Sequence, residues 1–147
     1  MAGPWTTLSE GLPGRWTASL EGGHELVVDY RMTARGSVLL ETWMPGTPAE
    51  TLTTFHLDGD RLMLTHYCGQ GNQARLRLTD ATERQLSFSR FDVTNHDPSQ
   101  GVLTALTLAP RGDTLTRIER YTQGTDADTT TLEFTRTAAG SESAPPR

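Results

Sequence analysis

The densest set of reactive side chains in the chain lies within RLMLTHYCGQGNQARLRL, residues 61–78: His66, Tyr67, Cys68, Gln70, Asn72, Gln73 and Arg75. An imidazole titrates near neutrality, so modest changes in its surroundings make it an acid, a base or a ligand. A thiol becomes a nucleophile only where a cation or imidazole lowers its pKa. Alternation over residues 62–68 puts Leu62, Leu64, His66 and Cys68 on one face of a strand, with Met63, Thr65 and Tyr67 on the other. The imidazole and the thiol therefore close a line of leucines aimed at the interior. Two readings of His66 stand side by side: a proton carrier, or a core histidine whose nitrogens are satisfied by backbone or by Asn72 and Gln73. Cys68 sits about 6.5–7 Å along the strand from His66, too far for direct contact unless the strand bends. A free cysteine is also commonly no more than a small buried hydrophobe.

A second candidate is Glu41, in an otherwise apolar run with Leu39, Leu40 and Trp43. Inside a barrel its carboxyl would have a raised pKa and could act as a general acid or base, whereas on the outer face it is ordinary surface charge. Parity with Leu39 and Trp43, against Val38, Leu40 and Met44, leaves both open. His56 and Tyr67 fall on the outer face by parity, although a phenol or the carboxamide of Asn72 could steady developing charge in a pocket. Arg75 and Arg77 oppose Leu76 and read as a solvated face, and neither His24 nor His96 has a partner implied by spacing.

These groups need elements to hold them, and the chain reads as strand almost throughout. Residues 1–13 form a Pro/Gly-containing lead-in whose Leu8 and Leu12 can cover one end of a fold through a short helical turn begun at Thr6 or Thr7. Trp16, Ala18 and Leu20 alternate with polar residues, and after Gly22-Gly23 His24, Leu26, Val28, Tyr30 and Met32 alternate with Glu25, Val27, Asp29 and Arg31. The run SVLLETWM ends at Pro45-Gly46. Asp58-Gly59-Asp60 is a strong hairpin signal that sets Phe55 and Leu57 beside Leu62 and Leu64, with His56 beside Met63. From Leu86 and Phe88 to Phe91 and Val93 the apolar phase slips, which a bulge near Ser89-Arg90 explains. Three further strands follow, around Val102, Thr114 and Asp128. Residues 137–147, with almost no apolar content, read as a disordered tail. Roughly ten short strands with Gly, Pro or Asp punctuation every 8–12 residues predict an all-β domain over residues 14–136, an up-and-down antiparallel barrel with no substantial helix. An open sandwich is the alternative.

The size of 147 residues suits one domain. A net charge of −5 without any basic run argues against a nucleic-acid surface. Cys68 is the sole cysteine, so no internal disulfide forms and a reducing compartment is natural. The first residues lack the basic and apolar regions of a signal peptide, and no apolar run nears the roughly 20 residues a membrane helix needs. The expectation is a soluble, cytoplasmic protein, monomeric or homodimeric.

Gly14-Arg15-Trp16 on the first strand, with Arg136 closing the last, resembles the calycin pattern. In lipocalins and their relatives that Trp plugs the closed end and the Arg packs across it. The segments Glu41-Thr42-Trp43-Met44-Pro45-Gly46, Phe55-His56-Leu57-Asp58-Gly59, Leu64-Thr65-His66-Tyr67-Cys68 and Gly71-Asn72-Gln73-Ala74-Arg75 are similar to a bacterial lipocalin-like family reading E-T-x-x-P-G, Y-H-x-D-G, L-T-H-Y-C and G-N-Q-P-R. The similarity spans roughly Trp16 to Arg136. Ala74 stands where the family has Pro, and the His-Met-His-like run expected near Val102-Leu103-Thr104 has no histidine. The resemblance implies a calycin barrel. Most members of the family have no established activity.

From this follows the leading expectation, a barrel that binds a small, largely apolar molecule. Phe55, Leu62, Leu64, Leu76, Phe88 and Leu106 would line it, with His66, Cys68, Asn72 and Glu41 as polar points. The alternative is a cofactor-independent cyclase, isomerase or dehydratase in which Glu41 or His66 moves a proton and Tyr67 or Asn72 steadies charge. A third reading makes the barrel a scaffold that acts through partners. No serine-triad, phosphate-loop or dinucleotide motif is present. No zinc-like spacing is present either, and a haem site like that of the nitrobindins would need a histidine late in the chain, where none follows His96. No cofactor or metal is expected.

Overall fold

The computed structural model describes residues 3–137. Ten strands run in chain order: β1 (Gly14–Ser19), β2 (Glu25–Thr33), β3 (Val38–Trp43), β4 (Thr51–Asp58), β5 (Arg61–Tyr67), β6 (Gln73–Ala81), β7 (Leu86–Thr94), β8 (Val102–Arg111), β9 (Thr114–Gln123) and β10 (Asp126–Arg136). Each pairs antiparallel with its neighbours in sequence, and β1 pairs with β10, so the sheet closes into one barrel. This is the all-β barrel expected from the strand pattern, and it is consistent with a calycin-like fold. Closure leaves fewer unpaired backbone groups than an open sandwich of the same strands would. The seam is short, however. Only Trp16↔Arg136 and Thr17↔Thr135 join β1 to β10, and residues 126–131 of β10 are exposed on both faces.

One end is plugged. Helix α1 (Pro4–Gly11) has Pro at its first turn, where the missing N–H costs nothing. It therefore begins before the Thr6 or Thr7 start that the sequence pattern indicates. Its Leu8 and the following Leu12 are fully buried over Trp16, whose indole N–H donates to the Leu12 carbonyl at 2.9 Å. The Arg136 guanidinium lies 4.3 Å from the Trp16 ring centroid and donates to the carbonyls of Pro13 (2.6 Å) and Gly11 (2.7 Å). A cation on an aromatic face contributes about 0.5–2 kcal/mol. Here it also satisfies carbonyls at the helix end that have no intrahelical donor.

Above this plug the lower barrel is apolar. Phe55 and Phe88 meet edge to face at 6.0 Å, and Leu62, Leu64, Leu76 and Leu106 are buried in the same cluster. Three apolar residues do not take the inward positions their alternation indicates. Leu20 lies beyond the end of β1, Leu57 sits at the hairpin rim, and both are exposed. Phe91 is the extra residue of the bulge between Leu76↔Arg90 and Arg75↔Asp92, so it turns outward beneath the guanidinia of Arg75 and Arg77. The bulge thus sits within a residue or two of the expected place, but it resolves the phase slip by expelling Phe91. Thr137 is tied by its N–H to the Arg15 carbonyl, and the rest of the expected tail lies outside the described residues. No described helix is long and apolar enough to cross a membrane.

Gly14 is the tightest point of the plug. Its φ is +132°, and a Cβ there would stand 2.7 Å from Arg136 Nη1. Gly14→Ala should therefore cost about 1–3 kcal/mol through backbone strain and the displaced guanidinium, read as a lower urea midpoint. An unchanged midpoint would mean that the plug does not need Arg136 in this seat.

Candidate functional site

Opposite the plug the barrel is polar. On β3, Leu39, Glu41 and Trp43 point inward, and on β9 Leu115, Arg117, Glu119 and Tyr121 do the same. These two strands face each other across the interior, which brings an acid and a base together. Arg117 Nη1 donates to Glu41 Oε2 at 2.6 Å, and both side chains are only 1% exposed. The Tyr30 hydroxyl on β2 donates to the same oxygen at 2.7 Å, while Arg117 Nε donates to Glu119 Oε2 at 2.8 Å. Arg117 also lies 5.3 Å from the Trp43 ring. Glu41 thus takes the interior position that its parity had left open.

Burying a guanidinium opposes its charge, yet Glu41, Tyr30 and Glu119 together hold the Arg117 pKa well above its usual value. Burial, then the negative Glu41, push the Tyr30 pKa well up, so it stays a hydrogen-bond donor. An ion pair of this kind is expensive to desolvate and stable only while every partner is present.

His66 stands beside this network, 6% exposed. Its Nδ1 is 2.9 Å from Thr53 Oγ1 and its Nε2 is 3.3 Å from the Tyr121 hydroxyl. One ring nitrogen donates and the other accepts, so a neutral imidazole satisfies both contacts. Burial, and after it the charge of Arg117, lower its pKa from 6.5 to about 4, with Glu119 pulling the other way. The histidine is therefore uncharged near neutrality. Burial likewise raises the Tyr121 pKa, helped by Glu119.

Two loops complete the mouth. Met44 adopts φ 51° and carries the chain out of β3, so that Ala49 and Thr51 return over the opening. The β5–β6 turn, closed by Cys68 N–H to the Asn72 carbonyl and by Gly71 N–H to the Cys68 carbonyl (both 3.0 Å), brings Cys68 and Gly69 to the rim. The result is a pocket of about 190 Å³ walled by Trp43, Thr51, His66, Cys68, Arg117, Glu119 and Tyr121, with Ala49 and Gly69 at its lip. A larger concavity of about 650 Å³ lies at the opposite end between α1 and the β6–β7 turn. It lacks converging buried polar groups, and the mouth pocket is the chemically equipped one.

His66 and Cys68 meet in this pocket as their shared parity indicates, and Glu41 sits directly behind it. The apolar residues read from sequence as cavity walls do not join them. Phe55, Leu62, Leu64, Leu76, Phe88 and Leu106 pack into the core, and none lines the mouth pocket. Tyr67 is 42% exposed on the outer wall. Asn72 is fully buried but serves as a latch, its Nδ2 donating to the Gly101 carbonyl at 3.1 Å, and its side-chain oxygen has no partner. The phenols that do reach the polar interior are Tyr30 and Tyr121, and with Arg117, Glu119 and Thr53 they were missed. A signal existed for β9, since Arg117, Glu119 and Tyr121 share parity with Leu115. Ile118 on the other face hides it. Among the described residues no group of three or more His, Cys, Asp or Glu is placed to hold a metal ion.

Arg117→Met should destabilise the fold by about 3–5 kcal/mol, because it strands buried carboxylates, and adding Glu41→Leu should recover part of that loss; urea denaturation of the two variants checks both. A second expectation concerns pH. The unfolded imidazole binds a proton near 6.5 and the folded one only near 4, so between those values the unfolded state holds more protons. Stability from His66 is fully present above about 6.5 and is lost as pH falls towards 4, by on the order of 3 kcal/mol. His66→Gln should remove that share of the acid destabilisation, visible as a shallower fall of the urea midpoint than in the wild type.

No protein-family model and no curated protein matches the chain.

Proposed function

We propose that the protein is a small-molecule-binding barrel of the lipocalin-like kind whose ligand sits in the mouth pocket. The observation that carries this reading is the convergence of Arg117, Glu119, His66 and Tyr121 on a concavity of about 190 Å³, beside the indole of Trp43. Ligand sites combine an apolar wall with a few fixed polar groups, and here those groups are held by one another before any ligand arrives. Preorganisation of this kind lowers the ordering cost of binding. The mixed lining favours a compact polar molecule over the largely apolar one that the leucine-rich strands had indicated. The plugged end, with Trp16 under Arg136, supports the lipocalin-like assignment. A cytoplasmic setting suits the lone thiol of Cys68.

Catalysis is the second reading, favoured by the contact of a neutral His66 with the Tyr121 hydroxyl. His66 would take a proton from bound substrate and Tyr121 would steady the charge that develops. Glu41 enters this scheme as a positioning residue, since its carboxylate is engaged by Arg117 and Tyr30 and does not line the pocket.

A fragment library of mixed charge, screened by amide and indole chemical shifts, tests the binding reading. Hits should move Trp43, Thr51, Gly69 and Tyr121 together, and Ala49→Trp, which fills the lip, should abolish those movements. Hits confined to the groove beside α1, or responses that survive Ala49→Trp, would sink it.

A further inference from the structure

The charges around the mouth are distributed one-sidedly. Among the described residues lining the pocket Arg117 is the one guanidinium or ammonium, it is 1% exposed, and it is already bonded to two carboxylates. The cluster therefore carries one negative charge in excess, and His66, neutral down to about pH 4, does not offset it. Of the three charged groups, Glu119 is the most accessible, at 13%. The sign that a ligand meets is negative.

The loops give an independent indication. Five connections ring the mouth: residues 20–24, 44–50, 68–72, 95–101 and 124–125. None contains Lys or Arg, although the chain has 13 arginines and no lysine. The same loops and the strand starts beside them carry Glu21, Glu25, Glu50, Asp97, Asp126 and Asp128, all exposed. The connections at the plugged end are mixed in sign, with Arg35 and Arg84 beside Asp60, Glu83 and Asp113, and the strand ends next to them add Arg61, Arg111 and Asp58. Asp128 is the register partner of Tyr121, and with Asp126 it borders a second hollow of about 260 Å³ that shares Tyr121 as a wall. An acidic rim over a low-dielectric pocket focuses the field and concentrates cations at the opening.

We propose that the ligand is a small organic cation, an amine protonated at neutral pH on a compact apolar or aromatic body. This rests on the mouth pocket being the binding site. The ammonium N–H groups would bond to Glu119 and to the Tyr121 oxygen, with the body against Trp43 and Thr51. An anion would find its natural partner Arg117 already neutralised and would have to pass the acidic rim.

Benzylammonium, benzyl alcohol and benzoate form a size-matched set for the test, titrated at neutral pH into wild type and Glu119→Gln and followed by the same chemical shifts. The glutamine keeps an oxygen to accept from Arg117 Nε, and a thermal melt of the variant verifies that it is folded. Benzylammonium should bind wild type at least tenfold tighter than either companion, lose that advantage in Glu119→Gln, and weaken as salt rises. Binding of benzoate or benzyl alcohol at equal or higher affinity would overturn the cation assignment while leaving the pocket in place. So would an ammonium affinity indifferent to Glu119→Gln. If none of the three moves a mouth resonance, the cation assignment falls, and the mixed-charge library decides separately whether the pocket falls with it.

Discussion

A guanidinium removed from water has to be compensated from every side, and in this barrel Arg117 draws that compensation from its own strand and from two strands that do not pair with it. Glu41 comes from β3, Tyr30 from β2 and Glu119 from β9 itself, so the network ties one wall of the barrel to the other. Its partners are worth little singly, but withdrawing one leaves a buried charge bare. The upper half of the barrel is consequently fixed by polar geometry. The depressed basicity of His66 follows in part from the same charge.

The lower half follows a different logic. Leu8, Leu12, Trp16 and the Phe55–Phe88 pair fill the plugged end by apolar burial, and Arg136 caps it by lying on an indole face and bonding to carbonyls. The two arginines use one chemical property, a planar cation that stacks on an aromatic ring while its N–H groups reach acceptors. At the plugged end the acceptors are neutral carbonyls. At the mouth they are carboxylates, and that difference leaves an excess of negative charge at the open end of the barrel.

The division also accounts for where the pocket lies. A ten-stranded barrel has room for a ligand along its axis. Here the apolar floor is occupied by its own side chains, and space persists only where charged groups hold one another at hydrogen-bonding distance. Cys68 and Gly69 reach the rim because the β5–β6 turn is latched to the β7–β8 loop through Asn72 and Gln70, both bonded to Gly101.

Alternation and turn chemistry determined much by themselves: the strands, the Asp58-Gly59-Asp60 hairpin, a barrel of about ten strands, and an inward His66. Each depends on a period of two or on local backbone preference, which a sequence carries directly. The same rule misplaced Leu20 and Leu57, which lie where strands run out at the rim. It also misplaced Phe91, which a bulge expels. Only the tertiary structure decided that Glu41 lies inside, because its partner Arg117 is 76 residues away in the chain. Parity shows which way a side chain points, but not what meets it across a closed sheet. The polar pocket is made of such meetings.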